Sequence, residues 1–324
     1  MRISVAMCTF NGDRFLPEQL TSIAAQKRLP DELIVCDDGS SDHSLQLVEE
    51  FARRVPFPVH LTVNECTLGS TRNFQKAISL CECDVVALAD QDDVWYPHKL
   101  AHLEQVFLTS PAVVAAFSDA DVIDCDSQRT KLRLWQAFAF GSREQRRFAA
   151  GQGVRVLIKH PVVTGATLAF RRPWIDILMP IPESDVHDRW ISFLLAACGP
   201  FARVKEPLMQ YRRHTNQQIG LSTTTLPERL ARAYYTKRSL YQDEIERFRQ
   251  LHARLAHYQQ CLPNAGGAMA EIERKISHLE HRIQLQQQTF SRVPKVIREI
   301  FNHGYWRYAA GWESVAKDLF LYNR

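Results

Sequence analysis

The stretch VVALADQDDVWYPHKL, residues 85–100, places a short apolar run directly before a group of acids. The run Val85–Ala89 has the composition of a buried strand, and it is followed without a spacer by Asp90, Gln91, Asp92 and Asp93. Carboxylates this close together repel one another and resist ionisation unless a positive charge lies among them. The stretch therefore predicts a buried strand that ends at a cation-binding site.

Four β-rich runs alternate with four segments of helix-like apolar spacing in the first part of the chain. The predicted strands are residues 2–8, 32–38, 59–64 and 84–90, and the predicted helices are residues 16–27, 42–54, 71–81 and 97–109. This alternation indicates an α/β fold with a parallel sheet covered by helices on both faces. Ligands of such sheets bind beyond the carboxyl ends of the strands, where DQDD and the segment CDDGSSD, residues 36–42, are both expected.

Length and composition are those of a globular protein with a substantial core, because 45% of the 324 residues are hydrophobic. No apolar run reaches the roughly 18 residues that a membrane span needs, and the first residues lack the apolar core of a signal peptide. The eight cysteines include no CxxC pair, so they are interpreted as buried thiols. We expect a cytoplasmic protein.

The expected ligand edge lacks the glycine signatures of two large nucleotide-binding classes. The absence of GxGxxG after the first strand argues against a dinucleotide cofactor, and the absence of GxxxxGK[ST] argues against a P-loop hydrolase. Carboxylates suit Mg²⁺ or Mn²⁺, which take one or two protein carboxylates and complete their shell with diphosphate oxygens. The sequence predicts a nucleotide diphosphate and a divalent cation.

Four segments resemble, in order and spacing, the family 2 glycosyltransferases of GT-A fold. They are TFNGDRFLPEQLTSI, VCDDGSSD, GSTRNFQKAI and ALADQDDVWYPHKL, which begin at residues 9, 35, 69 and 87. The resemblance covers about residues 1–220 and implies a GT-A domain with a mainly parallel sheet, followed by an α-helical extension over residues 221–324. Its reaction would be an inverting, metal-dependent sugar transfer from a nucleotide-sugar donor to a glycan or lipid-linked glycan acceptor.

The donor sugar is suggested by three motifs: DQDD-x-W, VHDRW at 186–190 and YRRHTNQQIG at 211–220. Together they are most similar to the bacterial rhamnosyltransferases that build surface polysaccharides such as O-antigen or capsule. This resemblance implies L-rhamnose carried by dTDP-rhamnose. A UDP-hexose or UDP-amino-sugar donor is the alternative.

Eight residues are expected at the donor nucleotide: Thr9, Asn11, Arg14, Asp37, Asp38, Arg72, Asp90 and Gln91. The first three can hydrogen-bond a nucleotide, and a guanidinium at position 72 can pair with base or phosphate oxygens in a fork geometry. By resemblance, the paired acids at 37 and 38 contact the base and ribose, and Asp90 lies near the ribose. A turn or a solvated surface position is the alternative interpretation for each.

The divalent ion is expected at Asp92, which matches the second acid of the family's DxD element. His214 is a candidate further ligand, although a loop histidine would look the same in sequence. A cation here would relieve the repulsion among the acids and neutralise charge on the departing diphosphate. Asp93 is interpreted as a cap of the helix that follows.

Sugar transfer also requires a base, because the acceptor hydroxyl loses its proton as the new bond forms. VHDRWISFLLAACG, residues 186–199, opens an apolar helix with two titratable residues in its first turn. The family resemblance assigns the base to Asp188, with Asp185 and His187 as the next candidates. An acid that only complements the helix dipole is the alternative.

The C-terminal part differs in charge. Lys and Arg against Asp and Glu number 24 against 26 up to Gly220, a net −2, and 16 against 10 from Leu221 onward, a net +6. A helical hairpin is predicted around LPNAGGA, residues 262–268. Residues 292–324 mix basic and aromatic side chains, which suits peripheral contact with the inner face of an anionic membrane. Packing on the catalytic domain or on a second subunit of a homodimer is the alternative.

Two rival functions are less consistent with these patterns. A nucleic-acid-binding protein would use the basic tail, but its charges are interleaved with acids and no recognised motif is present. A nucleotidyltransferase would need a glycine-rich basic loop after the first strand, where CTFNGDRF has one glycine. No nucleic-acid partner is expected.

Overall fold

The computed structural model describes residues 1–214, 238–262, 264–286 and 292–320. The chain divides into two compact units: Met1–Gly153 with Val162–Leu221, and Val154–Pro161 with Ser222–Arg324. The predicted boundary between residues 220 and 221 lies outside the described residues. Across the described ranges, no helix combines the length and apolar character that a bilayer crossing requires.

Nine strands of the described part of the first unit form one sheet. They are β1 Ile3–Thr9, β2 Glu32–Asp37, β3 Val59–Val63, β4 Val85–Ala89, β5 Val94–Trp95, β6 Ala115–Ile123, β7 Arg129–Arg133, β8 Leu168–Arg171 and β9 Phe201–Arg212. The strand order is β3-β2-β1-β4-β8-β6-β9-β5, with β7 paired to β6. The predicted parallel pairing of the first four strands is confirmed, and antiparallel partners of β8 make the whole sheet mixed.

The central strands are apolar on both faces because helices cover both sides of the sheet. Every residue of β1, β2 and β4 is buried. The α-helices of this unit are α1 Leu16–Ala24, α2 Ser44–Ala52, α3 Ser70–Ser79, α4 Lys99–Thr109, α5 Leu134–Ala137, α6 Ser142–Ala149, α7 Gly153–Leu157, α8 Ile175–Leu178 and α9 His187–Cys198. Of α7, only Gly153 belongs to this unit, and its other residues belong to the second.

Helix α1 ends at Ala24, earlier than its apolar spacing predicts, because a tertiary contact replaces the last helical turn. The Gln26 side chain donates to the carbonyl of Tyr96 at 2.8 Å, and the backbone N–H of Lys27 donates to Pro97 at 2.7 Å. The chain after α1 is thereby attached to the segment that follows the acidic loop.

Strand register brings the acidic segments to one edge of the sheet. Thr9 of β1 pairs with Asp37 of β2, and Met7 pairs with Ala89 of β4. Strand β6 runs parallel to β9, so the end of β9 at Arg212 lies beside Ile123 at the same edge.

The second unit consists of helices in its described part: α10 Arg238–His257, α11 Ala265–Gln286, α12 Arg292–Phe301, α13 Gly304–Tyr308 and α14 Trp312–Phe320. The predicted hairpin is present as α10 and α11, which pack together. Its loop is shorter than predicted, because α11 begins at Ala265 and includes two glycines. The burial of Ala268 and Ile272 outweighs the low helix propensity of glycine.

Buried ion pairs hold the second unit together. Arg282 donates twice to the Asp318 carboxylate, at 2.8 Å each, and the Tyr305 hydroxyl donates to the same group at 2.8 Å. All eight cysteines of the chain are free thiols. Cys66 and Cys261 are exposed, so the prediction that the thiols are buried is wrong for these two.

Candidate active site

The DQDD loop is attached to the end of β1 by an amide side chain. Gln91 accepts from the backbone N–H of Phe10 at 2.8 Å and donates to its carbonyl at 3.1 Å. A Cβ at Gly12 would lie 2.3 Å from the Gln91 amide oxygen, so a side chain at position 12 would displace the Gln91 amide from these hydrogen bonds. The structure therefore places Gln91 as a positioning group of the loop, and its contact with a nucleotide stays a prediction.

Asp92 and His214 form a pair at the carboxyl edge of the sheet. The His214 Nε2 lies 2.7 Å from Asp92 Oδ2, and the imidazole lies beside the Phe15 ring with centroids 4.8 Å apart and the ring planes tilted by 38°. Within the described residues, no group of three or more His, Cys, Asp or Glu side chains is arranged to hold a metal ion. The protein thus contributes one carboxylate and one imidazole at this point.

Two basic side chains are buried beside the acids of the loop. Arg212 is fully buried, and its Nε donates to the carbonyl of Asp92 at 2.7 Å. Lys99 is also buried, donates to the carbonyl of Ala166 at 2.7 Å and lies over the Trp95 ring. Neither residue was predicted from the sequence. The signal was the group of three acids at one strand end, because such a group favours basic side chains nearby.

The acids titrate abnormally in this setting. Burial, followed by the charges of Asp92 and Asp188, raises the pKa of Asp90 to about 8. Burial lowers the pKa of Lys99 to about 7, although the charges of Asp93 and Asp90 act in the opposite direction. Without a bound cation, this edge therefore retains protons that isolated carboxylates would release.

Asp93 does not cap the following helix, and that prediction is wrong. Helix α4 begins at Lys99 after His98, without a side-chain cap. Asp93 is instead fully buried and accepts the backbone N–H of Arg212 at 3.0 Å. The two-residue strand β5 pairs with β9 immediately after this residue, which turns the side chain toward β9. Burial raises the pKa of Asp93 well above its usual value, and the charges of Asp92 and Asp90 add to the effect.

Asp188 lies in the first turn of α9 and accepts the backbone N–H of Gly165 at 3.2 Å. Its charge contributes to the raised pKa of Asp90, so both carboxylates lie within electrostatic reach at one edge. A Cβ at Gly165 would approach His187 Nε2 to 2.8 Å, so the glycine permits close packing of α9. The structure thus brings Asp90, Asp92, His214 and Asp188 together.

The other candidate bases are engaged elsewhere. Asp185 is buried, and its carboxylate accepts from Arg189 Nε at 2.6 Å. The His187 ring is buried and stacks on Phe74 with centroids 4.0 Å apart, and its nitrogens have no hydrogen-bond partner within the described ranges. Burial lowers the pKa of His187. Asp188 is the partly exposed acid of this turn.

Asp37 and Asp38 reach the same edge but are bonded to the protein itself. Asp37 accepts from the Thr9 hydroxyl at 2.7 Å and from the backbone N–H of Ser40 at 2.7 Å. Asp38 accepts from the Asn64 amide at 2.8 Å and from backbone N–H groups of the following loop. Both carboxylates are buried and shape the loops of the edge, and their contact with base or ribose stays a prediction.

The remaining predicted nucleotide contacts are more exposed. Asn11 has a positive φ of 45° and accepts the backbone N–H of Ser41 at 2.8 Å. Arg14 pairs with Asp126 at 3.8 Å, and both side chains are exposed. Arg72 of α3 pairs with Glu183 at the surface. Their roles toward a ligand stay predictions, since each has a protein partner here.

The donor set fits a divalent cation that is shared with a substrate. A carboxylate oxygen and an imidazole nitrogen 2.7 Å apart can both face one ion. Asp93 Oδ2 is also buried nearby, without a hydrogen-bond partner within the described ranges. Two protein ligands leave most of the shell for water and diphosphate oxygens, as Mg²⁺ and Mn²⁺ sites commonly do.

Comparison with known proteins gives consistent results. The model of the family described as glycosyl transferase family 2 matches residues 4–178. The dTDP-rhamnosyl transferase RfbG of Shigella flexneri is 26% identical over 227 residues, which cover 66% of this chain and 73% of that protein.

Solved structures share the architecture at low sequence identity. S. aureus TarS 1-349 in complex with UDP-GlcNAc superposes with a TM-score of 0.60 at 14% identity, covering 99% of this chain and 89% of that one. The mannosyltransferase PcManGT from Pyrobaculum calidifontis, in complex with GDP-Man and Mn²⁺, gives a TM-score of 0.51 at 17% identity, covering 99% and 84%. These likenesses confirm the predicted GT-A fold.

Proposed function

Because the chain belongs to glycosyl transferase family 2, we propose that it moves L-rhamnose from dTDP-rhamnose to a glycan acceptor in bacterial surface polysaccharide synthesis. The observation that carries the transfer reaction is the convergence of Asp90, Asp92, His214 and Asp188 at one sheet edge. The rhamnose assignment is supported by the similarity to RfbG. A UDP-hexose or UDP-amino-sugar donor is the alternative, and the fold shared with a UDP-GlcNAc-binding protein is compatible with it.

The proposed reaction is a single displacement with inversion. Asp188 takes the proton of the acceptor hydroxyl while the acceptor oxygen bonds to the anomeric carbon and the bond to the diphosphate oxygen breaks. The Gly165 N–H, 3.2 Å from the Asp188 carboxylate, orients this base. Arg212 holds the acidic loop in place through the carbonyl of Asp92, and Lys99 donates to the carbonyl of Ala166, beside Gly165.

Asp92 and His214 would hold Mg²⁺ or Mn²⁺, and the Mn²⁺ complex of PcManGT is compatible with this choice. When bound, such an ion supplies Lewis-acid stabilisation of the departing diphosphate. The protein's own contribution is to place one carboxylate and one imidazole side by side and to fix the Asp92 backbone through Arg212.

The donor base can be tested by titrating dTDP, UDP and GDP into the purified protein with Mn²⁺ present. We expect dTDP to bind at least about threefold more tightly than UDP, because burial of the thymine methyl group contributes roughly this factor and the deoxyribose has no 2′-hydroxyl that needs a hydrogen-bond partner. Isothermal titration calorimetry measures the three dissociation constants. Tighter binding of UDP would overturn the rhamnose assignment in favour of the alternative donors.

We also propose that the second unit attaches peripherally to an anionic membrane. Val293, Ile297 and Phe301 recur every four residues on α12, and they are 54%, 46% and 78% exposed. Trp312 and Phe320 of α14 are also largely exposed. Large apolar side chains at the surface of a unit with net positive charge suit the headgroup region of an anionic bilayer.

Some basic side chains of the second unit are paired or buried, so they contribute less to the proposed membrane binding than the sequence suggests. Arg307 pairs with Glu271, and Lys317 is buried, so part of the positive charge is used inside the unit. Arg298 is exposed on α12, beside the apolar side chains. Insertion of apolar groups, assisted by a few cations, therefore carries more of the proposed binding than charge alone.

Flotation with vesicles of phosphatidylcholine, with and without phosphatidylglycerol, tests the attachment. Replacing Val293, Ile297 and Phe301 together by serine should abolish flotation, because each buried apolar side chain contributes about 1.5–3 kcal/mol. Substitution is preferable to truncation, since Tyr305 and Asp318 belong to the core of the unit.

The matched control replaces Val63, Leu80 and Leu108, which are comparably exposed in the first unit, by serine. This control should float as the wild type does. Unchanged flotation of the first triple variant would reject membrane attachment. A fall in mass from dimer to monomer, measured by light scattering, would assign the surface to a second subunit instead.

A further inference from the structure

Lys99 is a buried lysine that bridges two parts of the proposed active site. It is the first residue of α4 and is 1% exposed. Its ammonium donates to the Ala166 carbonyl at 2.7 Å, lies 3.5 Å from the Met209 sulfur and lies 3.8 Å from the centre of the Trp95 ring. The side chain therefore extends from the segment after the acidic loop to the turn before β8.

The burial of this ammonium is unfavourable unless its contacts compensate for the lost water. Among the residues that the structure describes, no carboxylate forms an ion pair with it, and the charges of Asp93 and Asp90 act on it from farther away. An apolar side chain of the same length would fill the space without a buried charge. The hydrogen bond to Ala166 is the directional contact that the ammonium adds and that such a side chain lacks.

The turn that Lys99 contacts also supports the proposed base. Gly165–Thr167 is a single 3₁₀ turn, and its internal hydrogen bonds do not use the Ala166 carbonyl. That carbonyl is buried and is bound by Lys99 instead. One residue earlier, the Gly165 N–H donates to the Asp188 carboxylate at 3.2 Å. The two hydrogen bonds involve adjacent residues, so a displacement of the carbonyl also displaces the N–H.

The turn lies between two helices that fix its surroundings. Helix α4 is anchored in the core by Leu100, Leu103 and Phe107, all of which are buried. On the other side, a Cβ at Gly165 would approach His187 Nε2 of α9 to 2.8 Å, so the turn is closely packed there. Lys99 is therefore a contact through which the rigid α4 can determine the position of the turn.

We propose that Lys99 is a positioning residue for the base. By binding the Ala166 carbonyl it fixes the Gly165 N–H, and through this N–H it orients the Asp188 carboxylate. The inference rests on the proposed transfer reaction, in which Asp188 takes the acceptor proton. The alternative role of Lys99 is to balance the charge of the acidic loop, and that role would act on metal-dependent donor binding rather than on the base.

A double-mutant cycle separates the two roles. Lys99→Met keeps the apolar stem and removes the ammonium, and it should lower kcat by about 10- to 100-fold, because small displacements of reacting groups have effects of this size. The KM for the donor and the dissociation constant of dTDP with Mn²⁺ should stay within about threefold of the wild type. In the Asp188→Asn background, Lys99→Met should lower kcat by less than about threefold, since residues that act through one group are not additive.

The turn itself can be observed by NMR of protein labelled with ¹⁵N-glycine, because the chain contains 13 glycines. The Gly165 amide is identified as the signal that Asp188→Asn displaces most, since this substitution changes the acceptor of its N–H. Lys99→Met should displace the same signal. The matched control is Lys205→Met, an exposed lysine of β9, which should leave both this signal and kcat as in the wild type.

Three results would each overturn the inference. They are a wild-type kcat in Lys99→Met, an unmoved Gly165 signal in that variant, and an effect of Lys99→Met on kcat that is equally large in the Asp188→Asn background. Weaker dTDP binding with an unchanged kcat would assign Lys99 to the acidic loop. A wild-type kcat in Asp188→Asn would instead reject the proposed base, so the two failures are distinguishable.

The stoichiometry of dTDP binding, measured by calorimetry, reports the folded fraction of each variant. If Lys99→Met does not fold, the same cycle is carried out with Lys99→Gln, which removes the charge but keeps an N–H donor. We expect its kcat to lie below that of the wild type and its effect to be similarly small in the Asp188→Asn background. A large additional loss there would overturn the inference.

Discussion

Replacing Asp188 by asparagine is expected to lower turnover by about 10²- to 10⁴-fold while the fold and nucleotide binding are retained. Loss of a positioned base typically has an effect of this size. Asparagine keeps the shape of the side chain and can still accept the Gly165 N–H through its amide oxygen. The measurement is the initial rate of nucleoside diphosphate release with acceptor present, together with calorimetric binding of the nucleotide.

The matched control for this variant is Asp84→Asn. Asp84 immediately precedes β4, at the opposite edge of the sheet, is exposed and accepts the backbone N–H of Arg2. It undergoes the same change of charge far from the proposed chemistry, so its rate should match that of the wild type. If Asp188→Asn keeps turnover within a few fold, the proton is taken by another group and the base assignment is wrong.

The first four strands and helices could be predicted because their signals are local. Apolar runs such as Val85–Ala89 are buried on both faces, so their composition alone marks them as central strands. The acids that follow are confined to one edge because parallel strands end together. Local pattern therefore sufficed to locate the edge at which the candidate site lies.

The antiparallel part of the sheet could not be obtained in the same way. Strand β8 has four residues, and its partners β4 and β6 precede it by about 50 to 80 residues in the chain. Apolar periodicity reports which face of a segment is buried, but not which distant segment pairs with it. The surroundings of Asp188 depend on the turn before β8, so they could not be predicted from the local sequence pattern.

The roles of Lys99 and Arg212 were missed for a related reason. A lysine or arginine in sequence is ordinarily a solvated surface group. Arg212 is buried because it pairs with Glu18 from α1 and with the Asp92 backbone, contacts that span more than 100 residues. The aromatic residues of the second unit could not be sorted for the same reason. Tyr305 is buried and Trp312 is exposed, but the composition of the segment does not distinguish them.

Replacing Asp92 by asparagine is expected to abolish metal-dependent donor binding. The wild type should be stabilised by dTDP with Mn²⁺ by about 2.7 kcal/mol when the free nucleotide is at a hundred times its dissociation constant. The variant should show the same small shift with Mn²⁺ and with a chelator, because the carboxylate that pairs with His214 is gone. Thermal unfolding of both proteins, with and without chelator, measures the difference.

A misfolded variant can be distinguished from one that has lost its metal ligand, because only misfolding strongly lowers the stability of the ligand-free protein. The negative charge of Asp92 helps to raise the pKa of Asp90 and Asp93. Folding raises the pKa of these acids above the value of about 3.9 that they have in the unfolded chain. At a pH above about 3.9 the unfolded chain releases the proton more readily than the folded protein does, so each such acid destabilises the folded state. Neutralising Asp92 lowers both folded pKa values, and this gain in stability at neutral pH opposes the loss of the Asp92–His214 contact, so the ligand-free variant should unfold close to the wild type. Retained stability with lost metal dependence supports the metal site, whereas an undiminished Mn²⁺ effect on dTDP binding would place the cation elsewhere.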